Sequence, residues 1–264
     1  MSLNSLNYLY SLNYLWRLAG TGIAFATIFG GGAVLALTAF PIVHMITPPG
    51  HQRRERNQFL IHHVFRLYVR MLQLLRLIDL EVEGAEKLRD SRGCLIVANH
   101  PSLLDVVLLM ALVRQSQCVV KKELWESPFL GRVVRSAGYI RNDLAFDPML
   151  TACRNALAEG NSLIIFPEGT RTLVRGPMRL RRGFANIALH LQARIQLVTI
   201  TCEPPTLVKG ENWWMIPPRR PCFRVEVGDR LDTAGWLDCK YRSLAVRKLV
   251  RRVQDYYAER LSGG

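Results

Sequence analysis

His100 and Asp105 stand five residues apart, directly after the apolar run Cys94-Leu95-Ile96-Val97-Ala98. The run reads as a short buried strand, and Pro101-Ser102 then open a helix. The histidine thus falls on the turn between strand and helix, with a carboxylate one helical turn on. A carboxylate there can hold one imidazole nitrogen protonated and leave the other to take a proton from a hydroxyl. No serine or cysteine nucleophile is needed if the hydroxyl belongs to the substrate. Further along, Ile164-Ile165-Phe166-Pro167-Glu168-Gly169-Thr170-Arg171 repeats the design of an apolar strand followed by a charged turn. Plainer readings stand beside these. Ser102-Leu103-Leu104-Asp105 also fits a capping box that satisfies amides at a helix start, His100 alone suits a structural role, and Glu168-Gly169-Thr170 suits an ordinary polar turn.

The two motifs in this order, His-x4-Asp and then Phe-Pro-Glu-Gly-Thr-Arg, resemble the signature of the glycerolipid acyltransferases typified by 1-acylglycerol-3-phosphate (lysophosphatidate) acyltransferase. The resemblance covers roughly residues 58 to 230. It implies transfer of an acyl chain from a thioester, on acyl carrier protein or coenzyme A, to the hydroxyl of a lysophosphatidate-like lipid. It casts His100 as general base, oriented by Asp105. It casts Glu168, Gly169, Thr170 and Arg171 as residues that position the acceptor, with Arg171 facing a phosphate and Lys121 and Arg141 as further acceptor-binding cations. It implies no metal and no cofactor beyond the acyl donor as co-substrate. Amides of the following helix start, or of the Glu168-Gly169 turn, are the candidates for holding the oxyanion. Glu168 beside a phosphate would be repulsive unless it braces an arginine or a hydroxyl.

Some segments depart from the family pattern. Arg141-Asn142-Asp143 brings its arginine early, Arg179, Arg181 and Arg182 precede Gly183-Phe184, and Thr201-Cys202-Glu203-Pro204-Pro205-Thr206 replaces the usual strand end. These are acceptor segments, so a second expectation is an acyltransferase for a specialised, non-phosphatidate lipid. An expectation of another class is a non-catalytic protein that binds a membrane or nucleic acid through its basic surface; the intact His100 and Asp105 argue against it.

Charge and hydropathy favour a membrane surface. Lys and Arg number 35 against 21 Asp and Glu, a net charge of +14, yet 49% of the residues are hydrophobic. Nucleic acid as partner explains the charge but not the long apolar stretches; an anionic membrane explains both. The six cysteines show no paired short spacing and read as reduced residues of a cytosolic domain. The histidines are scattered apart from His62-His63, which gives a metal site little support.

No formally charged residue occurs between Leu18 and Gln52. With Pro41 as its limit, a helix from Leu18 to Phe40 extends about 34 Å, enough for the roughly 30 Å hydrocarbon core. Gly30-Gly31-Gly32 leaves a re-entrant hairpin open, and a signal peptide is a third option. Arg17 stands alone before the span while Arg53, Arg54 and Arg56 follow it, which predicts a cytoplasmic catalytic domain at the inner membrane. Ser5-Leu6-Asn7-Tyr8-Leu9 recurs as Ser11-Leu12-Asn13-Tyr14-Leu15, and its tyrosines suit a headgroup belt. In residues 58–78, His62, Arg66, Arg70, Gln73 and Arg76 form one polar stripe on an otherwise apolar helix. The pattern predicts an in-plane amphipathic helix, the alternative being a helix packed on the domain with a solvated basic face.

The remainder alternates strand-like runs (80–83, 94–98, 118–120, 162–166, 195–201 and 223–227) with helical ones (103–113, 128–137, 148–159, 183–191 and 240–261). This predicts an α/β fold, a single mixed, largely parallel sheet covered by helices, with an N-terminal membrane-embedded helical segment. The expected organisation is a membrane segment over 1–57, an interfacial helix over 58–78 and the α/β acyltransferase domain over 79–264. In such sheets ligands collect at the carboxyl ends of strands, where both motifs sit.

Overall fold

The computed structural model describes residues 3–261 apart from 129, 173–177, 237, 238 and 240, with the backbone alone for 3–11. Its centre is a seven-stranded sheet of order β1-β7-β6-β2-β5-β3-β4. The strands are β1 (Asp79–Glu83), β2 (Leu95–Ala98), β3 (Ser116–Val120), β4 (Ile140–Arg141), β5 (Ser162–Ile165), β6 (Ile195–Glu203) and β7 (Cys222–Leu231). Neighbours run parallel except β6 and β7, so the sheet is mixed and largely parallel. Every residue of β2 is fully buried, as a central parallel strand covered on both faces demands. Ile96 and Ala98 enter one core, Leu95 and Val97 the other.

Helices α1 (Leu3–Val34), α2 (Phe40–Ile46), α3 (His51–Leu74), α4 (Ala85–Arg89), α5 (Asp105–Leu112), α6 (Lys122–Trp125), α7 (Gly131–Ser136), α8 (Phe146–Ala158), α9 (Gly183–Leu191) and α10 (Arg242–Leu261) surround the sheet. Residues of α1, α3 and α5 join the core on one face, residues of α8, α9 and α10 that on the other. β4 was not expected, since a two-residue strand carries no periodic signal. The expected helices at 128 and 240 begin at Gly131 and Arg242; Phe129 and Lys240 lie outside the described residues.

Pro41 does not end the N-terminal helix. A π-helical stretch, Leu35–Ala39, precedes it, and the Phe40 amide reaches back to the Leu35 carbonyl. The wider turn accommodates the missing proline donor and its ring, and the backbone stays helical through Gly30-Gly31-Gly32. By length and composition alone, Leu12–Ile46 is long and apolar enough to cross a membrane, its most apolar 18-residue stretch having a mean hydropathy of 2.0. One side of it is buried at Arg17, Gly20, Ala24, Gly32, Ala36 and Phe40, a three-to-four-residue seam along the domain. Its other side exposes Ile23, Phe29, Val34, Leu37, Ile42 and Met45. Tyr8 and Tyr10 lie outside the side chains described.

The stripe assigned to residues 58–78 needs correction. The helix begins at His51, and its polar residues dock it onto the domain. Asn57 Nδ2 donates to the Ser136 carbonyl (2.9 Å), Gln58 Nε2 to that of Ala137 (2.9 Å) and His62 Nδ1 to that of Met110 (2.8 Å). Ile61, Tyr68, Val69 and Leu72 add an apolar seam. Arg66, Arg70, Gln73 and Arg76 remain exposed beside Phe59, Leu67 and Leu74, so only part of the predicted stripe faces outward.

Candidate active site

β2 and β5 are parallel neighbours, and the turns leaving their carboxyl ends carry the two motifs. Asn99 closes the first strand: its side-chain amide donates to the Ile200 carbonyl and accepts from the Ile200 amide, both at 2.7 Å. This fastening to β6 fixes the next residue, His100. His100 Nδ1 donates to Asp105 Oδ2 at 2.8 Å, and the imidazole lies stacked on Phe166 with centroids 4.2 Å apart. The Ser102 amide donates to the same Asp105 oxygen at 2.7 Å. The capping and catalytic readings of Asp105 are therefore one geometry, in which the cap holds the carboxylate where it meets the histidine.

With Nδ1 donating to a carboxylate, Nε2 is left as the proton acceptor. Asp105 is wholly buried, and burial pushes its carboxyl up to about 6 despite the opposing hydrogen bond from His100. Glu168 Oε1 accepts from the His100 amide (3.0 Å) and from the Thr172 hydroxyl (2.8 Å), while the Thr172 amide donates to the His100 carbonyl (2.6 Å). Burial raises the Glu168 carboxyl as well. Glu168 thus braces a hydroxyl and joins the second turn to the first.

Gly169 has φ +69°, which glycine adopts without steric cost. A Cβ there would also lie 2.8 Å from Arg181 Nε. Thr170 is half-buried on the same turn. Arg171 is half-buried too, and its Nη1 donates to the carbonyls of Leu207 (2.7 Å) and Val208 (2.9 Å). Leu207 itself has φ +53°, an uncommon conformation for a branched residue. Among the described residues nothing further bonds Arg171 Nε or Nη2.

Lys121 is exposed at the carboxyl end of β3, and Arg141 closes β4. Both share the site's edge of the sheet, but Arg141 stands three strands from β2, roughly 14 Å at the usual spacing. Its guanidinium clasps Asp143 with bonds of 2.9 and 2.5 Å. His100, Asp105 and Glu168 are thus in direct contact, Arg171 is adjacent, and Arg141 and Lys121 are apart.

Four of the amides expected as oxyanion donors are already engaged. The Ser102 amide serves Asp105, that of Leu103 the Leu207 carbonyl, that of Leu104 the Ser102 hydroxyl and that of Gly169 the Phe166 carbonyl. Sequence reasoning gave no role to Asn99, Phe166 or Thr172. Asn99, a polar residue ending an apolar strand beside the histidine, was the available signal. Among the described residues no three His, Cys, Asp or Glu side chains are grouped to hold a metal ion.

An apolar cavity of about 80 Å³ adjoins the site, lined by α1, α3, the start of α5 and the Thr206-Leu207 turn. Arg17, whose guanidinium donates to the Pro217 carbonyl, is the charged residue in its wall.

Comparison with known proteins fits this arrangement. Residues 79–203, which hold both motifs, match the acyltransferase family model. A 1-acyl-sn-glycerol-3-phosphate acyltransferase of Helicobacter pylori is 41% identical over 115 residues, 40% of this chain and 48% of its own length. One of Cocos nucifera is 29% identical over 67% of this chain and 57% of its own length. The chain thus spans about half the length of these curated relatives. One of Pseudomonas aeruginosa is 27% identical over 69% of this chain and 70% of its own length. The crystal structure of the 1-acyl-sn-glycerophosphate (LPA) acyltransferase PlsC from Thermotoga maritima superposes with a TM-score of 0.70, covering 97% of this chain and 98% of that one at 22% identity.

Proposed function

We propose, from the acyltransferase-family match over residues 79–203, that this chain is a membrane-associated 1-acylglycerol-3-phosphate-type O-acyltransferase. The observation that carries the reading is the 2.8 Å bond from His100 Nδ1 to the buried Asp105, which leaves Nε2 as a base at the carboxyl edge of the sheet. The acyl donor is a thioester of acyl carrier protein or coenzyme A, and the acceptor is a lipid alcohol. As the hydroxyl oxygen bonds to the thioester carbonyl carbon, its proton passes to His100 Nε2. The tetrahedral intermediate then expels sulfur, the C–S bond breaks, and the proton leaves with the thiolate as a thiol. Asp105 stabilises the transient imidazolium, a role that needs its charge. The protein works at the cytoplasmic face of the inner membrane, where Leu12–Ile46 supplies the apolar anchor.

Labelled acyl transfer from either thioester onto lysophosphatidate tests the proposal. His100→Ala lowers kcat by about 10²–10⁴-fold with the fold intact, the usual contribution of a general base. Retention of more than about a tenth of the rate would remove the base assignment.

The acceptor has a second reading, favoured by the use of Arg171 Nη1 on two backbone carbonyls. If Arg171 only braces that turn, the acceptor is a specialised lipid without a phosphate. If its remaining edge meets a phosphate, Arg171→Ala weakens the acceptor by roughly 10- to 150-fold, the value of one charge-assisted contact. Comparing kcat/KM for lysophosphatidate and its dephosphorylated counterpart separates the two. A wild-type preference for the neutral lipid removes the lysophosphatidate assignment.

A further inference from the structure

The loop between β6 and β7 carries Trp213-Trp214-Met215, three large apolar side chains exposed by 39, 50 and 51%. Two short turns shape it, Glu211 N to Val208 O (3.3 Å) and Met215 N to Asn212 O (3.0 Å). Trp213 and Trp214 meet edge to face with centroids 5.6 Å apart. Lys209 and Arg219 flank these residues, with Glu211 as the lone acid between Lys209 and Arg220; Arg220 itself is paired with Asp79 at 2.6 Å. Exposed tryptophan and methionine between cations suit the boundary between lipid headgroups and acyl chains.

The loop continues the apolar face of the N-terminal helix. Trp213 packs on Phe25 at 5.8 Å between centroids and lies beside Gly22, while Arg17 grips the Pro217 carbonyl. At its other end, the Leu207 and Val208 carbonyls hold Arg171, and the Thr206 carbonyl accepts from Ser102 Oγ at 3.0 Å. One short segment therefore joins the apolar helix to the turn of His100 and to Arg171.

We propose that the Trp213-Trp214-Met215 loop is a second membrane contact, which enters the headgroup boundary of an anionic bilayer and sets the height of the His100–Arg171 site above it. Anionic lipid is the occupant that matches both the loop's cations and the continuity with α1. The membrane association in the proposed function is its premise, but its first test needs no activity.

The full chain is reconstituted in vesicles of phosphatidylglycerol and phosphatidylcholine carrying bromine high on the acyl chain. Bromine quenches nearby tryptophan, so wild-type emission falls, and Trp213→Phe with Trp214→Phe removes a distinct share of that fall. Quenching unchanged by the double substitution overturns the proposal, whether or not the protein transfers acyl groups. A second measurement reads the consequence. Trp214→Asp with Met215→Asp raises KM for a vesicle-borne acceptor roughly tenfold, as expected when buried apolar area is lost. It leaves kcat/KM for a water-soluble short-chain acceptor unchanged. An equal loss on both acceptors means the loop only supports the fold, and that result also overturns the proposal.

Discussion

Asp105 is excluded from solvent and offers one oxygen to both His100 and Ser102, so its charge state decides whether the imidazole is held for proton transfer. Its carboxyl lies near 6, well above the ordinary value of about 3.9. Between these values the native state binds a proton that the unfolded chain has released. Stability from this group is therefore greatest at low pH and declines as pH rises from about 4 to 6. Activity runs the other way, because protonated Asp105 cannot stabilise an imidazolium. Rate profiles in pH should show kcat/KM falling on the acid side near pH 6. Asp105→Asn should lose most activity while its Tm at pH 8 is unchanged or raised. A sharp drop in Tm at that pH would mean that the charge serves the fold more than the chemistry.

The spacing of His100 and Asp105 made their pairing legible in the sequence, because five residues across a strand-to-helix turn is a local arrangement. The Glu168 bond to the His100 amide links positions 68 residues apart through strand pairing, and no local pattern announces it. At the level of elements, the apolar runs located β2, β5, β6 and β7 to within a few residues. His62 shows the limit of periodicity: its spacing matched the arginines, yet it lies inward on the Met110 carbonyl. A polar residue satisfied by a buried carbonyl and one satisfied by water look alike in a helical pattern. The turn after β5 has a sharper requirement. Gly169→Ala forces a Cβ into positive φ and against Arg181, at a cost of about 1–2 kcal/mol. Calorimetry should register this as a Tm lower by roughly 2–8 °C, and kcat should fall as Glu168 and Thr172 shift. A variant with unchanged Tm and rate would show that the turn relaxes freely.

Across the whole molecule, the apolar N-terminal helix is a structural part of the domain as well as a candidate anchor. Ala24, Ala36 and Phe40 belong to the same core as Ile96 and Leu108. Tyr68 donates to the Ala24 carbonyl at 3.2 Å, and Arg132 to that of Ala36 at 3.2 Å. Removing residues 1–46 would therefore uncover Tyr68, Leu72 and Leu77. The shortened chain should unfold at lower temperature and bind a hydrophobic dye more strongly than the full chain. A truncated protein that is monomeric, dye-negative and equally stable would show that the seam along α1 contributes nothing to the fold.

The strand order also has a consequence for synthesis. β2 emerges from the ribosome early, yet its two partners are β5 and β6, which begin at Ser162 and Ile195. At about 5–20 residues per second, the wait between Ala98 and Ile195 is on the order of 5–20 s. Until β5 is made, Leu95-Ile96-Val97-Ala98 has no neighbour on either edge, and one edge stays open until β6 follows; an unpaired apolar strand is a template for association with other chains. The nascent protein is thus most vulnerable to chaperone capture, or to clumping on a crowded polysome, before its second hundred residues are complete. A ribosome-arrest series ending on either side of residue 203 would locate the point at which that vulnerability ends.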